Sequence, residues 1–261
     1  MNWRNRVKHT LNQCIMADKT GKLTQRYDEY TEEDHLVWQT LYDRQMKRLR
    51  PITSREYFEA QEAVHFRRDE IPRVEKLNEL LGSTTGWGLT VVPNIQPNEI
   101  FFPSLSDKKF TATTWLRSMS QLDYISEPDM FHDVFGHVPL LSHPVFADFF
   151  RRFGELGERH LESPEAVEML GRIYWFTVEF GLIREDNQTR IFGAGLISSH
   201  GESLHCMSNS VVHKPFDIEE IMHTSFDNSV MQDLYFVLPS FDALLNSLEE
   251  VENKLNQLLD R

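Results

Sequence analysis

Residues 127 to 144 read Glu-Pro-Asp-Met-Phe-His-Asp-Val-Phe-Gly-His-Val-Pro-Leu-Leu-Ser-His-Pro, and their reading governs that of the whole chain. Two imidazoles, His132 and His137, stand five residues apart in an otherwise apolar segment. On a regular helix of about 3.6 residues per turn, that spacing puts side chains about 140° apart, so one regular face cannot make them converge. Gly136 before the second histidine and Pro139 after it predict that the helix loosens or ends there. Two histidines gathered at a helix end, beside a buried acid from elsewhere, would make a metal site.

The segment 172 to 183, Arg-Ile-Tyr-Trp-Phe-Thr-Val-Glu-Phe-Gly-Leu-Ile, is apolar nearly all round except for Glu179. A helix apolar on all faces is buried. A carboxylate there is costly unless it is paired, hydrogen-bonded or bound to a cation. A buried glutamate commonly meets an arginine, but the two-histidine segment supplies a cation site that needs an anionic ligand. His132, His137 and Glu179 are therefore the candidate metal ligands. Two neutral imidazoles and one carboxylate form the facial triad of non-haem Fe(II) oxygenases, with positions left open for other ligands. The same set serves catalytic zinc, and a zinc hydrolase is the alternative. The HExxH pattern of zinc proteases is absent: the spacing is HxxxxH and Asp133 follows the first histidine. That moves the expectation from zinc towards iron. His143, His200, His205 and His213, the other histidines nearest in sequence, read as structural.

The chain has 261 residues, with 27 basic and 40 acidic side chains and a formal net charge of −13. It is long enough for a substantial core in one domain. No basic run or stripe supports nucleic-acid binding. Two cysteines, Cys14 and Cys206, lack CxxC spacing and argue against a disulfide framework. No signal-peptide pattern opens the chain, and no apolar run approaches the roughly 20 residues that span a bilayer. A cytoplasmic monomer with no membrane or nucleic-acid partner is expected.

The expected fold is mainly α with a few short strands. Residues 1–30 read as an irregular lead-in and 31–261 as one domain. Thr31 caps a helix through Leu49, Ser54 starts a second through about Phe66, and Pro72 and Gly82 bracket a third. Residues 83–110, punctuated by Gly and Pro, read as loop with brief strands, and Thr111–Leu116 as β-favouring. Helical patterns return at 128–136, 144–160 and 164–184. Ile191–Ser199 reads as strand and turn, followed by a helix near 200–208. Phe241, Leu244, Leu248, Val251, Leu255 and Leu258 form an apolar stripe on a final helix that packs on its own domain.

Three segments in this order carry a resemblance: Glu127-Pro-Asp-x-x-His-x-x-x-Gly-His-Val-Pro-Leu140, Ile173-Tyr-Trp-Phe-Thr-Val-Glu-Phe-Gly-Leu182 and Gly193-Ala-Gly-Leu-Ile-Ser-Ser199. Together they closely resemble the pterin-dependent aromatic amino acid hydroxylases over roughly residues 30 to 259. In length the chain is similar to the compact bacterial members, which consist of the catalytic domain without regulatory or tetramerisation regions. The resemblance implies Fe(II) held by His132, His137 and Glu179, a tetrahydropterin co-substrate, O2, and conversion of L-phenylalanine to L-tyrosine. Tyrosine or tryptophan hydroxylation by the same chemistry is the nearest alternative. The resemblance further implies that Arg117 holds the substrate carboxylate and Asp129 fixes that arginine. Pro128, Trp175 and Phe180 would form the substrate walls, Tyr174 would lie near the iron, and Ser198 would orient a ligating histidine. Phe101 would stack on the pterin ring, with Val92, Ile95 and Asp133 beside it. Asp133 stands where the family commonly has Glu. Ile125 replaces a hydroxyl found in animal members, and Asn228 lies in a loop associated with substrate preference.

Overall fold

The computed structural model describes residues 15–17 and 22–259; His9 and Cys14, and the side chain of Leu258, lie outside them. The first long helix, Glu32–Leu49, begins at a reciprocal cap: the Thr31 hydroxyl accepts from the Asp34 N–H, and the Asp34 carboxylate accepts from the Thr31 N–H. Each partner satisfies a donor that the helix start would otherwise leave open. This helix buries Val37, Trp38 and Leu41. The Trp38 ring meets the edge of Phe131 at 5.4 Å and lies near Phe135, so the first helix supports the two-histidine segment from behind.

Mainly helical structure with short strands is what the chain adopts. A four-stranded sheet runs Gln188–Ile191, Leu182–Glu185, Leu234–Leu238, Val212–Pro215 in spatial order; its first pair is antiparallel and the other two are parallel. A separate parallel pair joins Gly88–Val91 to Lys109–Ala112. The final helix, Phe241–Leu259, buries its stripe from Phe241 to Leu255 and packs on helix Pro144–Arg159. Among the described residues, no helix is long and apolar enough to cross a membrane.

Several expectations need correction. Within the stretch read as irregular, Ile15–Ala17 pairs antiparallel with Leu23–Gln25. Gln25 also accepts from the Val74 N–H and donates to the Pro72 carbonyl, tying this stretch to the domain. The second helix stops at Ala63, and His65 follows at φ +54°. The third begins at Val74, past Pro72, and carries Gly82 inside it; Gly86, at φ +78°, lies beyond its end. A helix, Asn98–Ser106, lies where loop was expected and tolerates Pro103 in its interior. Tertiary packing explains that tolerance. A Cβ on Gly157 would stand 2.1 Å from the Phe102 ring and one on Gly154 2.5 Å from the Ser106 nitrogen, so two glycines let this helix nest on its neighbour. The pattern read as helix to 184 leaves helix at Glu179 and becomes a strand at Leu182. Ala194–Ser198, expected as strand and turn, is a buried helical turn.

Candidate active site and metal centre

Two π-helical turns carry the three candidate ligands. The first, Phe131–His137, holds both histidines, and helix Val138–Leu141 continues from it with Pro139 in its first turn. A π turn pairs residues five apart instead of four, so side chains five apart come to one side. His132 Nε2 and His137 Nε2 lie 3.2 Å apart. The second turn, Trp175–Glu179, continues helix Pro164–Tyr174, and the Phe180 N–H donates to the Trp175 carbonyl at 2.8 Å, five residues back. Thr177 bonds back to the Ile173 carbonyl just where the helix widens. Glu179 then reaches His137 Nε2 at 3.1 Å and His132 Nε2 at 3.5 Å. One ligand atom from each of the three lies within 4.8 Å of the others. Such spacing suits one ion about 2 Å from each donor. No other such group of three occurs among the described residues.

The electrostatics fit a cation. Burial pushes the His132 imidazole down to about 4, opposed by Glu179, so the ring stays neutral and free to ligate. Burial would raise the Glu179 carboxyl, but both histidines and Tyr174 outweigh it and hold it at about 2. The Ser198 hydroxyl lies 2.9 Å from His132 Nδ1 and fixes the ring so that Nε2 faces its partners. Ser198 ends the buried turn Ala194–Ser198, which packs against the first π turn.

A cavity of about 640 Å³ opens over these ligands. Arg117 lines it and is 6 % exposed, with its guanidinium doubly bonded to Asp129 at 2.8 Å for each contact. Asp129 stands behind the cavity wall, fully buried; it also accepts from the backbone N–H groups of Arg117 and His132. Burial would push the Asp129 carboxyl up, but Arg117 and these bonds hold it below its usual range. Pro128, Trp175 and Phe180 line the cavity, with the two rings 4.4 Å apart. Tyr174 lies beside His137, ring centroids 6.4 Å apart, and Phe101 meets Tyr174 edge-on at 5.4 Å. Phe101 faces the cavity whereas Phe102 is buried against Phe153. Val92 lies on the cavity wall, and Ile95, 66 % exposed, at its rim.

Asp133 lines the cavity too, yet its Oδ2 is held by the Thr113 N–H at 2.7 Å and the Thr113 hydroxyl at 2.8 Å. Burial pushes this carboxyl up to about 7, with Thr113 opposing. Thr113 was not picked out in the sequence, where it lies in an ordinary β-favouring run. Tyr57, whose buried hydroxyl donates to the Phe135 carbonyl at 2.6 Å, was also not singled out. Neither carries a local signal. Of the other nearby histidines, His143 caps helix Pro144–Arg159 and His213 pairs with the Cys206 carbonyl.

Two histidines and a carboxylate under an open cavity offer the donor set of a mononuclear oxygenase, which catalytic zinc sites also use. A family model, biopterin-dependent aromatic amino acid hydroxylase, matches residues 1–260. The phenylalanine-4-hydroxylase of Chromobacterium violaceum is 43 % identical over 226 residues, covering 86 % of this chain and 76 % of that protein. The solved structure of the C. violaceum enzyme with iron(III) and oxidised 7,8-dihydrobiopterin superposes with a TM-score of 0.86 at 38 % identity, covering 98 % of this chain and 93 % of the other. The iron- and phenylalanine-bound form of the C. violaceum enzyme gives 0.83 at 37 % identity, covering 98 % and 94 %. The chain belongs to the biopterin-dependent aromatic amino acid hydroxylases. With that, the zinc-hydrolase alternative falls.

Proposed function

We propose that this protein hydroxylates the ring of L-phenylalanine to L-tyrosine with Fe(II), a tetrahydropterin and O2. The observation that carries the reading is the convergence of His132, His137 and Glu179 beneath a cavity that also presents Arg117. Iron and a reduced pterin bound here would supply the oxygen activation and the two electrons that insertion of one oxygen atom into the ring requires.

The protein's own residues bind, orient and exclude water. His132, His137 and Glu179 hold the metal, with Ser198 setting the His132 ring. Arg117 receives the amino acid carboxylate, and Asp129 keeps the guanidinium in place; a planar fork of donors suits a carboxylate. Trp175, Phe180 and Pro128 face the substrate ring, and Tyr174 stands beside the ligands. Phe101 offers its face to the pterin, with Val92 and Ile95 along the edge. Asp133 commits its Oδ2 to Thr113, which leaves Oδ1 as the oxygen available to the cofactor. A monomer acting in the cytoplasm completes the reading, and light scattering tests its first half.

The test is turnover of phenylalanine, tyrosine and tryptophan side by side with Fe(II) and tetrahydropterin. Tyrosine formed from phenylalanine, with activity lost in Glu179→Gln, is the expected result. Preferred turnover of another amino acid would move the substrate, and undiminished activity of Glu179→Gln would overturn the ligand set.

A further inference from the structure

Beside the substrate wall lies a buried amide that the site roles above leave unused. Gln232 is 6 % exposed and lines the cavity. Its Oε1 accepts from the Trp175 indole N–H at 3.1 Å. Its Nε2 donates to the carbonyls of Asp227 at 2.7 Å and Val230 at 2.8 Å. Only an amide can do both, because it carries an acceptor and two donors on one planar group. The assignment of oxygen and nitrogen is fixed by the partners: the indole can only donate and the carbonyls can only accept.

The loop thus gripped, 226–231, has few other attachments. Phe226, Val230 and Met231 are exposed, and the Asp227 carboxylate bonds within the loop to Ser229. Phe226 also holds the loop, stacked on Trp175 at 4.2 Å and 9° and edge-on to Phe176 at 6.2 Å. Asn228 to Met231 nevertheless line the cavity. Gln232 itself is seated by its backbone N–H on Glu202, whose other oxygen accepts from the Tyr235 hydroxyl at 2.8 Å. The loop and the indole therefore share one anchor, fixed in turn to strand Leu234–Leu238 and helix His200–His205.

We propose that Gln232 is a specificity-determining positioning residue: its amide locks the 226–231 loop to the Trp175 ring and thereby sets the width of the aromatic pocket. This rests on the proposed amino acid hydroxylation. Without the amide, only the Phe226–Trp175 stack ties the loop to the indole, the loop is held more loosely against it, and discrimination among aromatic rings by fit weakens. The groups that bond Gln232 belong to the substrate wall, the loop and Glu202, not to the proposed iron or pterin residues, so the effect falls first on the amino acid.

Gln232→Leu, which keeps the volume and removes all three side-chain bonds, tests this in the iron-loaded enzyme. The KM for phenylalanine should rise about fivefold or more, the scale of one lost hydrogen bond. The KM for tetrahydropterin and the iron content should stay at wild-type values, and the ratio of kcat/KM for phenylalanine to that for tryptophan should shift. Trp175→Phe, which deletes the indole N–H and keeps a ring, should add less in the Gln232→Leu background than alone. An unchanged amino acid KM and ratio, or fully additive effects, overturns the proposal. If Gln232→Leu fails to fold, Gln232→Glu takes its place, since it loses both donated bonds while retaining an acceptor. If the wild type turns over none of the three amino acids, the functional reading fails instead. The positioning role is then judged by hydrogen exchange at 226–231, which must quicken in the variant; unchanged exchange overturns it.

Discussion

His132 and His137 present their Nε2 atoms to one point, 3.2 Å apart, because the segment joining them is a π turn and not an α-helix. π turns are rare and tend to mark functional sites, since the wider turn is less well packed than the α form. Here it is supported from outside. The rings of Phe131 and Phe135 stack at 4.6 Å, Trp38 closes on both, and the Tyr57 hydroxyl donates to the Phe135 carbonyl.

Tyr57→Phe removes that hydroxyl while keeping the ring. The buried Phe135 carbonyl loses a donor, at a cost of about 1–3 kcal/mol. We expect a lower unfolding free energy and faster loss of iron on dialysis. A variant that is destabilised but retains iron as firmly as the wild type would limit Tyr57 to a role in the core.

Ser198→Ala frees the His132 ring to rotate about its bond to the chain. Losing the partner of a ligating histidine typically costs about 10- to 100-fold in metal affinity. Iron titration of the apoprotein should show a drop on this scale with the thermal midpoint little altered. Equal affinities would contradict the orienting role.

Asp129 makes one carboxylate serve two ends of the site, since it accepts from Arg117 and from the His132 N–H. Asn in its place turns an N–H2 group towards donors and leaves the buried guanidinium without a counter-charge. Breaking a buried pair in this way costs about 3–5 kcal/mol. Denaturant unfolding of Asp129→Asn should show that loss, together with a raised KM for the amino acid. A KM equal to the wild-type value would separate Asp129 from substrate binding.

Cys206 is fully buried, and burial first, then Glu202, pushes its thiol up to about 12. A group whose pKa is raised by folding contributes stability below its unfolded value, near 9 for this thiol, and loses it as pH rises towards 12. In a Cys14→Ser background at pH 8, a disulfide reagent should label Cys206 only as fast as the protein unfolds. Cys206→Ala should lose stability less steeply than the parent between pH 9 and 12. Labelling at the rate of a free thiol would show that the sulfur is accessible.

Much of the fold was legible from local signals. The Thr31 and Ser54 caps start their helices where the sequence places them, because a capping side chain acts on backbone a few residues away. The errors lie where distant residues decide. Asn98–Ser106 is helical despite Pro103 because Gly154 and Gly157, some fifty residues away, open a seat for it. That seat also turns Phe102 inward and Phe101 towards the cavity, a choice that adjacent identical residues cannot express. Thr113 and Tyr57 carry no local signal because their partners, Asp133 and the Phe135 carbonyl, are remote in sequence; Gln232 has loop partners close by, but the indole that gives its amide a role is 57 residues away.

The sequence by itself singled out His132, His137 and Glu179 as candidate ligands, because an acid in an all-apolar helix and a histidine pair beside Gly and Pro together make a plausible cation site, and three motif segments in order carried the family. Tertiary structure alone decided how those ligands converge. Whether five residues span an α or a π turn depends on small differences in backbone energy. Those differences are settled by what packs outside the turn: Trp38, Tyr57 and the buried segment Ala194–Ser198.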